Sequence, residues 1–283
     1  MEESQTELKH LLSGKTVDEL CGVMKELTGH FSCEFAIRSY LDESPDWALR
    51  QLKSWVRDKD SHVRRLVSEG TRPRLPWAPR LKMFQEDPSG GIDLLDRLYF
   101  DKELYVRRSV ANHLNDIAKD HPDLAVSTAE GWLLRRDTAP VRWVVRHALR
   151  SLVKDGHVGA LRLLGYGAPR VKQVTLKLSP KRLSFGDPLS LDVSFVSTMR
   201  QSLMVDFALH RRLANDRLAA KVFKLKSVEL QAGERWSVNK RLPIRPISTR
   251  RYYDGEHRIE LIVNGKSVAT ESFRLTGAEK ARR

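Results

Sequence analysis

Apolar residues recur at helical spacing through the first half of the chain and at alternate positions through the second. Residues 17–27 (VDELCGVMKEL) carry a period near 3.6, and Thr16 with Glu19 three residues on predicts a capping box at their start. A second helix is predicted over 33–40, carrying Glu34, Ile37 and Arg38. Pro45 suits the first turn of a third, in which Trp47, Leu49, Leu52, Trp55 and Val56 share one face.

From there the pattern repeats. Residues 62–69 (HVRRLVSE), 105–112 (YVRRSVAN) and 140–147 (PVRWVVRH) align, with their valines at 63, 106 and 141. Each follows an amphipathic stretch, at 46–57, 92–100 and 124–134. Two helices per unit of roughly forty residues is the HEAT-like signature, since a helix pair cannot bury its apolar face alone and must stack on neighbours. A chance run of amphipathic helices would not repeat the V-R-[RW] start three times. The second helices are expected to line one concave surface. On it, Arg64, Arg107 and Arg142 are equivalent, as are Arg65, Arg108 and Trp143, and also Glu69, Asn112 and His147. Asp116, four residues after Asn112, shares that face. A merely solvated helical face would more often carry lysine–glutamate pairs.

Helical periodicity stops near 164–169 (LGYGAP). Alternating strands are predicted at 172–178, 189–195, 203–209, 220–225, 234–240, 258–263 and 267–275. Asn264-Gly265 marks a hairpin between the last two, and Tyr252 or Tyr253 suits a tyrosine corner. The predicted fold class is therefore multidomain, α then β: a HEAT-like solenoid over 1–166, an immunoglobulin-like sandwich over 170–276, and a tail at 277–283.

Charge sharpens this division. Residues 1–165 hold 26 Lys and Arg against 25 Asp and Glu, so the net charge of +14 resides almost wholly in the second half. Basic surface of this kind attracts polyanions, nucleic acid foremost. In the first half the basic density is local: residues 61–80 (SHVRRLVSEGTRPRLPWAPR) gather five arginines around Glu69 and Trp77. The guanidinium fork matches phosphate oxygens, which makes the lone glutamate anomalous unless it faces a cation.

No apolar run reaches the roughly 18 residues a membrane span needs, and residues 1–11 lack a signal-peptide core. Two cysteines, Cys21 and Cys33, fit a reducing compartment, and the expected location is the cytoplasm. Cys33 has no evident histidine partner and reads as a buried structural thiol. No zinc spacing, P-loop or G-x-S-x-G occurs in the sequence, so no metal and no cofactor is expected.

Glu34, Glu69 and Asp116 all fall beside the arginine stripe. Acids facing a DNA groove suit glycosyl chemistry, because breaking an N-glycosidic bond builds oxocarbenium charge on the sugar. Internal ion pairs are the competing explanation: Arg38 lies at i+4 from Glu34, and Lys119 at i+3 from Asp116. Trp77 can stack on a sugar or base, or cap the solenoid core.

Segments 31–41 (FSCEFAIRSYL), 62–81 (HVRRLVSEGTRPRLPWAPRL), 105–122 (YVRRSVANHLNDIAKDHP) and 142–154 (RWVVRHALRSLVK) closely resemble the AlkC-type DNA alkylation-repair glycosylases, relatives of AlkD. The resemblance spans about 31–167, and some members add an immunoglobulin-like domain. It implies excision of cationic N-alkylated bases such as 3-methyladenine and 3-methylcytosine from duplex DNA without base flipping. Glu34, Glu69, Trp77 and Asp116 are then the expected catalytic set. The DNA-binding set is Arg38, Arg64, Arg65, Arg72, Arg74, Arg80, Arg107, Arg108, Asn112, Asn115, Trp143, Arg146, His147 and Arg150. Such proteins have several more helices before the E-F-A-I-R motif than residues 1–30 can hold, so the N-terminal end of the groove is expected to be missing. The expected partner is alkylated duplex DNA, bound by a monomer. The alternatives are a non-catalytic damage sensor, which would bind DNA without releasing base, and a protein-interaction scaffold, which would not bind it.

Overall fold

The structure is a computed structural model and describes residues 17–246 and 251–278. The proposed cap at Thr16 lies outside them. The chain forms two compact units that divide between Ser151 and Leu152.

The first unit is helical: α1 (Val17–Leu27), α2 (Ala36–Glu43), α3 (Pro45–Trp55), α4 (Ser61–Gly70), α5 (Lys82–Glu86), α6 (Ser89–Leu98), α7 (Leu104–Ile117), α8 (Pro122–Arg135), α9 (Ala139–Ala148) and the start of α10 (Arg150–Lys154). Pro45 and Pro122 open their helices where a missing N–H costs nothing, and Asp60 caps α4 by accepting from the His62 amide. The repeat pattern translates into packing: α4 lies on α7, and α7 on α9. The V-R-[RW] valines Val63, Val106 and Val141 are all buried at these contacts, as are Leu66, Val110, Leu114, Val144 and Val145. Burying one such side chain contributes about 1.5–3 kcal/mol, so the row is a major share of this unit's stability.

The second unit holds the end of α10, α11 (Val158–Leu163) and eight strands: β1 (Val171–Ser179), β2 (Arg182–Ser184), β3 (Pro188–Ser197), β4 (Gln201–Arg212), β5 (Leu218–Leu230), β6 (Arg235–Pro243), β7 (Gly255–Val263) and β8 (Lys266–Thr276). They form a three-stranded sheet, β1-β3-β6, and a five-stranded sheet, β2-β8-β7-β4-β5. Inward residues alternate as the sequence requires: Leu189, Leu191, Val193 and Phe195 from β3 meet Val205, Phe207 and Leu209 from β4 and Ile259, Leu261 and Val263 from β7. The Asn264-Gly265 turn joins β7 to β8 with both residues at positive φ, 46° and 75°, as a type I′ turn demands. Gly156 approaches that turn closely, for a Cβ on it would stand 3.0 Å from the Gly265 carbonyl oxygen, so the α10–α11 corner packs on the hairpin. The sequence reading missed β2, three residues paired in parallel with β8. Tyr252, one candidate for the corner tyrosine, is buried against Phe185 and His257.

Candidate active site

The second helices bring the predicted carboxylates together. Glu69 on α4 and Asp116 on α7 are both buried, and Arg72, just past the end of α4, lies between them. Its Nη1 donates to Glu69 Oε1 at 2.7 Å and its Nε to Asp116 Oδ2 at 2.9 Å. Glu69 Oε2 accepts from Ser109 Oγ at 2.6 Å, and Ser109 in turn meets Ser68 Oγ at 2.7 Å. Arg65 lies 3.7 Å from Glu69 and 3.4 Å from Glu34 Oε2, with its guanidinium 4.9 Å above the Tyr105 ring. Glu34 thus faces Arg65 and has no hydrogen bond to Arg38. At the other end Lys119 Nζ reaches Asp116 Oδ1 at 3.0 Å. The result is one row of alternating charge: Glu34, Arg65, Glu69, Arg72, Asp116, Lys119.

The electrostatics follow from the order of the row. Burial disfavours the Arg72 cation, but Glu69 and Asp116 outweigh it and push its pKa above the ordinary arginine value. The row is nearly closed at Arg72 and open at Lys119, whose side chain is 45% exposed. Lys119 thus reaches the buried Asp116 from the solvent side, whereas Arg72 is itself buried.

Beside the row, Asn112 Oδ1 accepts from Arg150 at 3.0 Å and stands 3.2 Å from His147 Nε2, and His147 stacks on Trp143 at 5.0 Å. Burial, then Arg150 and Arg108, lower the His147 pKa. Arg80, Arg108 and Arg146 are exposed and make no hydrogen bond or ion pair among the described residues. Arg74 forms a two-pronged pair with Asp120, and Asn115 donates to the Ala148 carbonyl, so both tie one element to the next.

Three arginines expected on the DNA face are withdrawn from it. Arg64 is buried, pairs with Asp101 at 2.6 Å and donates to the carbonyls of Asp58 and Lys59. Arg107 repeats this with the carbonyls of Asp101 and Lys102, and Arg142 turns back to Asp137. The first arginine of every repeat therefore braces the loop before its own helix. Arg38 is 4% exposed and bonded to loop carbonyls, out of reach of phosphate.

Trp77 does not cap the core. It is 89% exposed and its backbone is left-handed, φ 65°, a conformation that costs a bulky residue of order 1–3 kcal/mol. Sequence reasoning missed Ser109, although its repeat equivalents are the buried Leu66 and Val144. A hydroxyl at an apolar core position is the signal that a buried acceptor awaits it. It also passed over His113, which is fully buried and presses Nδ1 to the Ser68 carbonyl at 3.0 Å. Burial, reinforced by Arg72, pushes its pKa down to about 3, so it is neutral near pH 7.

The C-terminal Ig-like domain family of the uncharacterised protein YhaZ matches residues 172–277. YhaZ of Bacillus subtilis (strain 168), described as uncharacterised, is 35% identical over 91% of this chain and 72% of its own length. The alkylpurine DNA glycosylase AlkC of Pseudomonas fluorescens, solved bound to DNA containing an abasic site analogue, overlays 92% of this chain and 73% of its own with a TM-score of 0.85 and 41% identity. The chain belongs to the AlkC family. The likeness extends over both units, so the α-then-β order and the immunoglobulin-like second domain are those of AlkC. Within this AlkC-family chain, Glu34, Glu69, Asp116 and their arginines occupy the helical unit, as does Trp77.

Proposed function

We propose that this chain is a monofunctional DNA glycosylase that releases cationic N-alkylated bases, 3-methyladenine and 3-methylcytosine among them, from duplex DNA without flipping them out. The observation that carries the reading is the alternating charge row with its open end at Asp116. A sugar acquiring oxocarbenium charge replaces Lys119 as the cation facing Asp116, while Arg72 keeps both carboxylates fixed. Electrostatic stabilisation of this kind, set up before the reaction, needs no reorganisation at the transition state. Glu69, held by Arg72 and Ser109, orients the attacking water, and Glu34 completes the anionic wall. Base protonation is unnecessary because an alkylated cationic base is already a good leaving group. Exposed Arg80, Arg108 and Arg146, with Trp143, His147 and Arg150, hold the duplex, and Trp77 stacks on it. That the AlkC relative was solved on abasic-site DNA supports this assignment of partner.

The test is single-turnover release of 3-methyladenine from alkylated duplex by wild type, Glu69→Gln and Asp116→Asn. Each variant is expected to lose about 10²–10³-fold in rate while still binding DNA. Variants as fast as wild type refute the carboxylate mechanism. A wild-type chain that binds duplex and releases nothing refutes the glycosylase reading.

A further inference from the structure

Residues 71–81 connect α4 to α5 and carry Trp77 at their crest. Arg38 projects from α2 beneath this loop. Its Nη1 donates to the carbonyls of Gly70 at 3.1 Å and Arg72 at 2.8 Å, and its Nη2 donates to the carbonyl of Pro79. One buried guanidinium, 32 to 41 residues away in sequence, thus ties the start of the loop to its end. None of these acceptors is a carboxylate. A cation buried among backbone carbonyls is expensive, and burial lowers its pKa to about 10, offset in part by Asp42. Such a group is retained where its fork geometry closes something that a simpler contact cannot.

What it closes is visible in the loop. The loop's internal backbone bonds are few and long, the Ala78 amide reaching the Leu75 carbonyl at 3.3 Å and the Leu81 amide reaching Pro73 at 3.2 Å, and Arg74 ties only its first half to Asp120. Trp77, left-handed and 89% exposed, receives no support from a core contact. A strained residue persists only where its surroundings over-determine it. We infer that Arg38 is a positioning residue, the clamp that holds the 71–81 loop shut so that Trp77 stands out from the surface in a fixed, strained pose. The inference rests on the glycosylase reading for what Trp77 serves, but the clamp itself is tested without DNA.

The experiment uses the full chain as Arg38→Met and Arg38→Lys. Lysine keeps the charge but cannot bridge both ends of the loop, and it remains informative if the methionine variant fails to fold. Hydrogen exchange of the Ala78 and Leu81 amides is expected to accelerate at least tenfold in Arg38→Lys, with the amides of α7 unchanged. Single-turnover base release at saturating duplex is expected to slow at least tenfold, with a much smaller change in KM. In a Trp77→Ala background the same Arg38→Lys change should slow release less than twofold. Loop amides exchanging at the wild-type rate overturn the clamp. An undiminished effect in the Trp77→Ala background overturns its action through Trp77. A wild-type chain that releases no base refutes the glycosylase reading instead, and the exchange result still decides whether Arg38 is a clamp.

Discussion

Replacing Arg72 with methionine tests the central feature of the site, the cation between two buried carboxylates. Glu69 and Asp116 are 7% and 3% exposed, and Arg72 itself is 8% exposed. The substitution removes two charge-assisted hydrogen bonds, at 2.7 and 2.9 Å, and leaves two like charges facing one another. Removing one partner of a buried pair costs about 3–5 kcal/mol. Lys119 remains on Asp116, and Ser109 with Arg65 remains on Glu69, which puts the expected loss near the lower end, about 3 kcal/mol. For a unit of this size that is a fall in Tm of about 6–12 °C. The assay is thermal unfolding followed by circular dichroism at 222 nm, where the helical unit dominates. The decisive comparison is the triple variant Arg72→Met, Glu69→Gln, Asp116→Asn. With the carboxylates neutralised, nothing is left uncompensated, and at least half the lost stability should return while base release stays abolished. A single variant melting within about 2 °C of wild type, or a triple variant no more stable than the single, refutes the claim that Arg72 is the counter-ion of the pair.

Two further outcomes follow from how the other charges are placed. Arg108→Ala should leave Tm within about 2 °C of wild type and reduce the log–log salt slope of duplex binding by about 0.9 for each phosphate left unneutralised, whereas Arg64→Ala should leave the slope unchanged and cost about 3–5 kcal/mol by stranding Asp101; the opposite pattern in a salt titration run beside a melt would reverse these assignments. In the sandwich, Asp206 on β4 is 6% exposed and its pKa is raised to about 6 by burial, partly offset by Lys224. Because the folded state disfavours its charge, the penalty is absent below about pH 4, grows up to about pH 6 and is full above it. Asp206→Asn should therefore raise stability by up to about 3 kcal/mol at pH 8 and by nothing at pH 4, and equal gains at the two pH values would show that ionisation is not the cause.

The sequence by itself determined the longer elements and their order. A helical or alternating period is a local property, and it predicted each of the longer helices and seven of the eight strands, with ends displaced by a few residues. The Asn264-Gly265 turn was equally legible, because positive φ at two successive positions selects those residue types. The repeat alignment alone puts Glu69 and Asp116 on one face. Tertiary structure decided what each charged group does. Arg64, Arg65 and Arg72 are chemically alike and lie within nine residues, yet one braces a loop through Asp101, one sits over Tyr105 between two glutamates, and one bridges Glu69 to Asp116. Glu69 apart, the carboxylates they pair with arrive from 31 to 44 residues away, and no local period encodes which of them will be there. For the same reason Arg38 read as a DNA contact and proved to be a buried tie, and Trp77 could not be placed until the loop was closed around it. The short α5 and β2 escaped notice because five and three residues hold too little pattern, and the pairing of β2 with β8 exists only once the sheet has formed.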